Sequence, residues 1–195
     1  SNRLVIYPNG ITRINKTIGI KKNQICPSGE NVAKRILLGT PLKNGYGSCA
    51  TCSQMGRLSI YKSVKGFDPS FRRAEDTDIC IRLSLIGAHF VGIEEPLVKQ
   101  KMTMSSDKKL DIEFKYSKLL IKKYKSFIDQ NGNYNFCKKW LETKYYFMRR
   151  NFIRMLINII FLSILYPSKS FKRLILSLPS LQLNNDYSLF HKTKR

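Results

Sequence analysis

Hydrophobic and polar positions alternate in short blocks along the first hundred residues. Leu4-Val5-Ile6-Tyr7 is a β-branched and aromatic run that predicts a strand over residues 3–7, and Pro8-Asn9-Gly10 predicts a turn. Residues 11–26 are mixed and polar, a second strand and a loop. Ser28 is placed to cap a helix over Asn31 to Leu38, with Val32, Ile36 and Leu37 as its apolar side, ended by Gly39-Thr40-Pro41. Gly45-Tyr46-Gly47-Ser48 reads as a loop, and Cys49 to Ser53 as a short buried strand. Leu58 to Val64 predicts a short helix, and Gly66-Phe67-Asp68-Pro69 a turn. Asp76 to Leu85, closed by Gly87, is the clearest helix. His89 to Ile93 and Leu97 to Met102 predict two more strands. Alternation of this kind argues for an α/β fold up to about residue 102.

After Ser105-Ser106-Asp107 the pattern becomes helical. Residues 107–128 carry a rough apolar face of Leu110, Phe114, Leu119 (or Ser117), Ile121 and Tyr124, and Asn131-Gly132-Asn133 is a turn. Residues 135–166 predict one longer helical stretch closed by Pro167, and residues 168–178 a short helix before Pro179. The last fifteen residues read as loose. There is no internal repeat.

Composition sharpens this division. The net charge is +22, and it is uneven: residues 1–98 hold 14 Lys and Arg against 7 Asp and Glu, whereas residues 99–195 hold 21 against 6. Such a field draws an anionic partner. An apolar content of 43% excludes a disordered chain. Five cysteines, Cys26, Cys49, Cys52, Cys80 and Cys137, make no even disulfide framework, so a reduced, intracellular chain is expected. Cys49 and Cys52 form a lone C-x-x-C. A structural zinc site needs two further ligands, and His89 and His191 are too scattered to supply them. The start carries no signal-peptide pattern and runs straight from Ser1 into a strand, so the chain is expected to be cut from a longer protein.

Candidate chemistry concentrates in Glu75, Asp76 and Asp78. Two readings stand. Acids favour the first turn of a helix because its amides and dipole are positive there, and Asp78 with Arg82 is an i,i+4 pair. Alternatively, one of the three is a catalytic carboxylate. Helical spacing puts Asp76, Cys80, Leu83 and Gly87 on one stripe beside the apolar Ile79, Leu83 and Ile86, with Glu75, Asp78 and Arg82 on another face. Asp76 is thus expected to aim inward from the helix mouth, where it would take a proton from a bound hydroxyl, while Asp78 and Arg82 pair outside.

Residues 66–98, from Gly66-Phe67-Asp68-Pro69 through Glu75-Asp76-Thr77-Asp78, Arg82 and Gly87 to Pro96-Leu97-Val98, resemble the acceptor-side segment of family 2 inverting glycosyltransferases. That family's pattern is a glycine-glycine-phenylalanine-acid turn, an acidic pair, then aspartate, arginine and glycine along one helix, followed by a strand and a Pro-Leu-Val strand. Lys65 replaces the first glycine of the turn. The preceding helix, the small residues of 48–53, Arg57 and Tyr61 fit as well, so the resemblance covers roughly residues 28–102.

The resemblance implies a GT-A, Rossmann-like fold, incomplete here. Residues 1–104 would be the C-terminal part of the transferase domain, and residues 105–195 a basic helical extension. It implies Asp76 as the general base on an acceptor hydroxyl, Glu75 as organiser of the loop, Asp78 and Arg82 as mainly structural, and Gly47 and Ser48 as lining of the sugar pocket. The implied partners are a nucleotide-sugar donor and a saccharide or lipid-linked acceptor, in cell-surface polysaccharide synthesis. The family holds its donor through a divalent metal, Mg or Mn, on an Asp-x-Asp motif. The only Asp-x-Asp here is Asp76-Thr77-Asp78, on the acidic-pair helix, so the donor and metal ligands are expected outside this chain, and the chain alone is expected to be inactive.

Phe152 to Tyr166 is strongly apolar but contains Arg154, Asn158 and Ser163, and its fifteen residues fall short of the roughly 20 that span a bilayer. Basic residues at both ends (Arg149, Arg150, Lys169, Lys172) and aromatics at 140–147 suggest a helix lying on an anionic membrane, and a cytoplasmic protein peripheral to its inner face. A core-packing helix with a solvated basic face and a membrane span are the other readings. The alternative to a transferase is a non-catalytic basic protein associated with membranes or nucleic acid. No RRM, helix-turn-helix or zinc-finger signature points to specific nucleic-acid recognition.

Overall fold

The computed structural model describes residues 1–20, 26–102 and 109–190, with side chains described as far as Leu178. The loop expected at 21–25, the change of character at Ser105–Asp107 and the tail 191–195 with His191 lie outside the described residues. The chain is mixed α/β and divides into two compact units, Ser1–Met104 and Ser105–Arg195.

Unit 1 is built on a three-stranded sheet of order β2-β1-β3. Strand β1 (Asn2–Ile6) is central. It pairs antiparallel with β2 (Thr12–Asn15), Leu4 opposite Ile14, and parallel with β3 (Pro96–Lys101), Leu4 opposite Lys99. The apolar run favours the pleated, buried position, and Val5 and Tyr7 are core residues. Asn2 and Arg3 are buried too, which the apolar pattern does not anticipate. Asn2 Nδ2 donates to the Glu94 carbonyl at 2.7 Å and its Oδ1 accepts from the Thr17 N–H at 2.9 Å. Arg3 donates to Gln100 Oε1 at 2.5 Å and to Ser48 Oγ at 2.9 Å. These bonds fasten the flanking loops to the strand and satisfy groups that burial would otherwise penalise.

Between β1 and β3 run helices α1 (Glu30–Leu38), α2 (Leu58–Ser63) and α3 (Glu75–Leu85), with a 3₁₀ turn at Thr51–Ser53. Helix α1 packs on α3 through Val32, Ala33 and Leu37, with Ala33 in the place expected of Ile36. Its N-cap is Gly29, not Ser28, which bridges instead to His89. The strand expected at Cys49–Ser53 is the 3₁₀ turn. Ser53 donates from both its N–H and its hydroxyl to the Ala50 carbonyl, and small polar residues of this kind close a turn more readily than they extend a strand. His89–Ile93 likewise forms only isolated bridges, Ser28 to His89 and Ile20 to Gly92.

Helix α3 is the keel of the unit. Ile79 and Ile81 are fully buried, and Ile79, Leu83 and Val64 form a cluster lined by Tyr61, Ala88 and Phe90. Its end is a Schellman motif: Ala88 N–H reaches the Leu83 carbonyl and Gly87 N–H the Ser84 carbonyl, with Gly87 at φ 84°, a left-handed position natural to glycine.

Unit 2 is helical: α4 (Leu110–Lys123), α5 (Lys125–Asn131), α6 (Tyr134–Met148), α7 (Phe152–Leu165) and α8 (Pro167–Phe190). The helix expected across 107–128 breaks at Tyr124, and Leu120, not Leu119, is its buried leucine. The Phe114 ring stacks on Tyr145 at 4.1 Å, joining α4 to α6. The long helix expected over 135–166 is two helices, because Arg150 turns left-handed (φ 56°) and the Asn151 side chain then caps α7 by accepting from Arg154 N–H. Pro167 closes the stretch as expected, α7 ending at Leu165 with Tyr166 as its C-cap, and it also opens α8, the position where its missing N–H matters least. Helix α8 continues through Pro179 to Phe190, so residues 181–190 are helical where a loose tail was expected. A proline removes one bond from a helix without having to end it. No helix among the described residues is long and apolar enough to cross a membrane.

Replacing Ile79 by Ala is expected to lower the stability of unit 1 by about 2–5 kcal/mol, the range for emptying a fully buried aliphatic site. Urea unfolding followed by circular dichroism measures it.

Candidate active site

The acidic cluster opens α3, and the chain reaches it through Ala74, a non-glycine residue held left-handed at φ 63°. No side chain caps this helix, so the exposed amides of the first turn are complemented by Glu75, Asp76 and Asp78 themselves. Beyond that shared role the three acids differ.

The orientation expected from spacing is reversed for Asp78. Its carboxylate has no exposure and meets Arg82 Nε at 2.8 Å, while Arg82 Nη1 donates to the Val64 carbonyl. The pair is therefore internal, tying α3 to the end of α2. The physical reason is that an ion pair with a further carbonyl partner tolerates burial, so periodicity alone misassigns it to the solvent face. Asp76 is half-buried at the mouth of the helix. Its Oδ1 accepts from the Thr77 N–H at 2.7 Å and from the Thr77 hydroxyl at 3.2 Å, and its Oδ2 has no hydrogen-bond partner among the described residues. Glu75, also half-buried, forms no hydrogen bond or ion pair among the described residues.

One turn after Asp76 stands Cys80, buried beside Cys49. Gln54 Nε2 donates to the Cys49 carbonyl and, at 3.3 Å, to Cys80 Sγ, and Tyr61 donates its hydroxyl to Gln54 Oε1 at 3.4 Å. The Cys80 thiol is pushed well above the ordinary range, first by its hydrogen bond with the Cys49 side chain, then by burial, with the Asp76 charge adding to both. Burial and then the nearby Cys80 raise the Tyr61 phenol as well. Gln54 and Tyr61 line an open groove of about 400 Å³ together with Thr51, Met55, Gly56 and Phe67. Tyr61 and Phe67 stack at 6.5 Å along it. The sequence offers Tyr61 and Phe67 only as matches to a pattern and gives no sign of Gln54. Gln54 carries no periodic or motif signal, and its position follows from the 3₁₀ turn that pattern reading took for a strand.

Gly47 and Ser48 do not line this groove. Gly47 lies at φ 128°, and a Cβ there would stand 2.3–2.6 Å from backbone atoms of Thr17 and Ile18. Ser48 accepts from Arg3 and exchanges backbone bonds with Lys16 and Ile18. Together they hold the Thr17 segment against the loop.

The Asp76-Thr77-Asp78 motif does not fit a divalent metal. Asp78 is enclosed with Arg82, and Asp76 is turned on Thr77, so the two carboxylates do not converge. Among the described residues no group of three His, Cys, Asp or Glu side chains is placed to hold a metal ion, and the five cysteines are free thiols. No protein-family model matches the chain, and neither a curated protein nor a solved structure shows significant similarity to it.

Arg82→Ala leaves the Asp78 charge buried and unpaired and is expected to cost about 3–5 kcal/mol in denaturant unfolding, well above the exposed i,i+4 value of about 0.3–0.5 kcal/mol. Because a raised thiol pKa withholds the thiolate, Cys80 is expected to resist iodoacetamide at pH 8 in the native chain, while exposed Cys52 is modified. Mass spectrometry before and after unfolding separates the two.

Proposed function

We propose that this chain is the acceptor side of an inverting, nucleotide-sugar-dependent glycosyltransferase of GT-A type, working at the inner face of a membrane in cell-surface polysaccharide synthesis. The observation that carries the reading is Asp76, the acid of the cluster that is held in place, on Thr77 through Oδ1, while its Oδ2 has no hydrogen-bond partner among the described residues; Cys80, one turn along the same helix, meets Gln54 of a groove walled by stacked aromatics. Sugar rings present C–H faces to aromatic rings and hydroxyls to amides, and Tyr61, Phe67 and Gln54 offer both.

In this reading a saccharide or lipid-linked acceptor lies along the groove with one hydroxyl at Asp76 Oδ2. The carboxylate takes the hydroxyl proton as the oxygen attacks the anomeric carbon. The bond to the nucleoside diphosphate breaks on the opposite face, which inverts the centre, and the proton stays on Asp76. Thr77 holds the carboxylate in place through its two bonds to Oδ1. Glu75 steadies the entry to the helix, and Asp78 with Arg82 keeps the helix seated. Gly47 and Ser48 act by fixing the loop, whatever sugar it meets. The nucleotide diphosphate and its Mg or Mn ion are held by residues other than those of this chain. The basic unit 2 keeps the enzyme peripheral to an anionic membrane, and specific nucleic-acid recognition has no part in it.

In a protein that joins this chain to a donor-binding half, Asp76→Asn is expected to lower turnover by about 10²–10⁴-fold with donor affinity unchanged. Steady-state transfer assays and donor titration read the two separately. Turnover within threefold of the parent protein would remove the base assignment.

A further inference from the structure

Helix α7 sorts its side chains the wrong way round for water. Asn158 and Leu162 face inward, and the Asn158 Nδ2 is buried without a hydrogen-bond partner among the described residues. On the opposite side Ile153, Ile157, Ile160 and Ile164, at i, i+4, i+7 and i+11, are between 58% and 74% exposed. Helix α8 repeats the inversion: Ser170 is buried while Phe171, Ile175 and Leu178 are exposed. A surface helix in water hides its apolar stripe, and a contiguous exposed one marks a docking face.

The ends of this face are cationic. At the α6–α7 turn Arg149, Arg150 and Asn151 line a notch of about 460 Å³ whose other walls are Phe152 and Ile153. Arg149 is committed to Asp111 in a bidentate pair at 2.9 Å, whereas exposed Arg150 makes no ion pair among the described residues. Beyond the other end of α7 stand Lys169 and Lys172. At about 1.5 Å per residue the 14 residues of α7 measure about 21 Å, against about 30 Å of bilayer hydrocarbon.

We propose that α7 lies side-on in an anionic bilayer, its isoleucine stripe at the headgroup–acyl boundary and Arg150 on a lipid phosphate at the α6–α7 turn. Charge selects this occupant. A second copy of the chain would bring the same cations face to face around the stripe, whereas anionic headgroups neutralise them while the acyl region takes the isoleucines. The inference rests on the peripheral-membrane part of the proposed function and is independent of sugar transfer.

The test uses the whole chain and vesicles of phosphatidylcholine with about one-third phosphatidylglycerol, against vesicles of phosphatidylcholine alone. Co-sedimentation is expected with the anionic vesicles and at least about tenfold weaker with the neutral ones. The double variant Ile153→Ser, Ile164→Ser, whose exposed sites leave the fold intact by circular dichroism, is expected to lower partitioning by about tenfold. In Ile157→Trp, fluorescence is expected to shift to the blue and to be quenched by lipids brominated near the top of the acyl chain, over the constant signal of buried Trp140. Binding to anionic vesicles that the double variant leaves unchanged would overturn the insertion while leaving peripheral association standing. No binding to either vesicle would overturn both. A blue shift that appears without lipid, together with a dimer in sedimentation velocity, would make a second copy the occupant and overturn the proposal.

Discussion

Unit 1 is arranged around a charge that has left water. Asp78 is fully enclosed, and an enclosed carboxylate is tolerated only where a cation and further donors or acceptors close around it. Arg82 meets that demand at 2.8 Å and at the same time reaches the Val64 carbonyl. One guanidinium therefore sets the distance between α3 and the end of α2. With that distance held, Tyr61 of α2 comes over Gln54, and Gln54 over Cys80. Asp76, two residues before Asp78 and about 200° around the helix, stays at the mouth with its Oδ2 unbonded among the described residues. The structural acid and the candidate chemical acid are thus consequences of one another's placement.

Much of this architecture is legible in the residues. The apolar run at Leu4–Tyr7 becomes the central strand, the 75–85 helix and its Gly87 terminus stand where their signals put them, and Leu97–Met102 pairs with β1. These signals are local: a β-branched run, a helix period, a glycine at a C-terminus. What was not legible depends on partners distant in sequence. Asn2 and Arg3 are buried because Glu94, Thr17, Gln100 and Ser48 meet them, and none of those pairings leaves a periodic trace. Asp78 reads as solvent-facing for the same reason. Periodicity counts polarity, and a polar group with its partners supplied can be interior. The division of residues 135–166 turned on a single left-handed Arg150, a conformation that an arginine does not announce.

The candidate site was legible as a cluster but not as a geometry. Three acids at a helix start could be named from spacing, whereas the groove beside them depends on a 3₁₀ turn and on the stack of Tyr61 on Phe67. Gly47 shows the reverse case. Its place in a family pattern suggested a ligand, and the backbone around it supplies a sufficient steric reason for a glycine on its own.

The isoleucine stripe of α7 also bears on how the free chain behaves in solution. Molecules carrying +22 repel one another at a distance set by the ionic atmosphere, and that repulsion keeps the exposed stripes apart. Raising the salt to about 1 M shortens the screening length to about 3 Å and strengthens the attraction between apolar faces by comparison. The colloidal behaviour of the chain is thus inverted relative to a nucleic-acid-binding protein of similar charge, which salt frees from its contaminants and keeps dispersed. Here salt removes the barrier to self-association, and dilute buffer with a mild detergent is the medium that matches the surface.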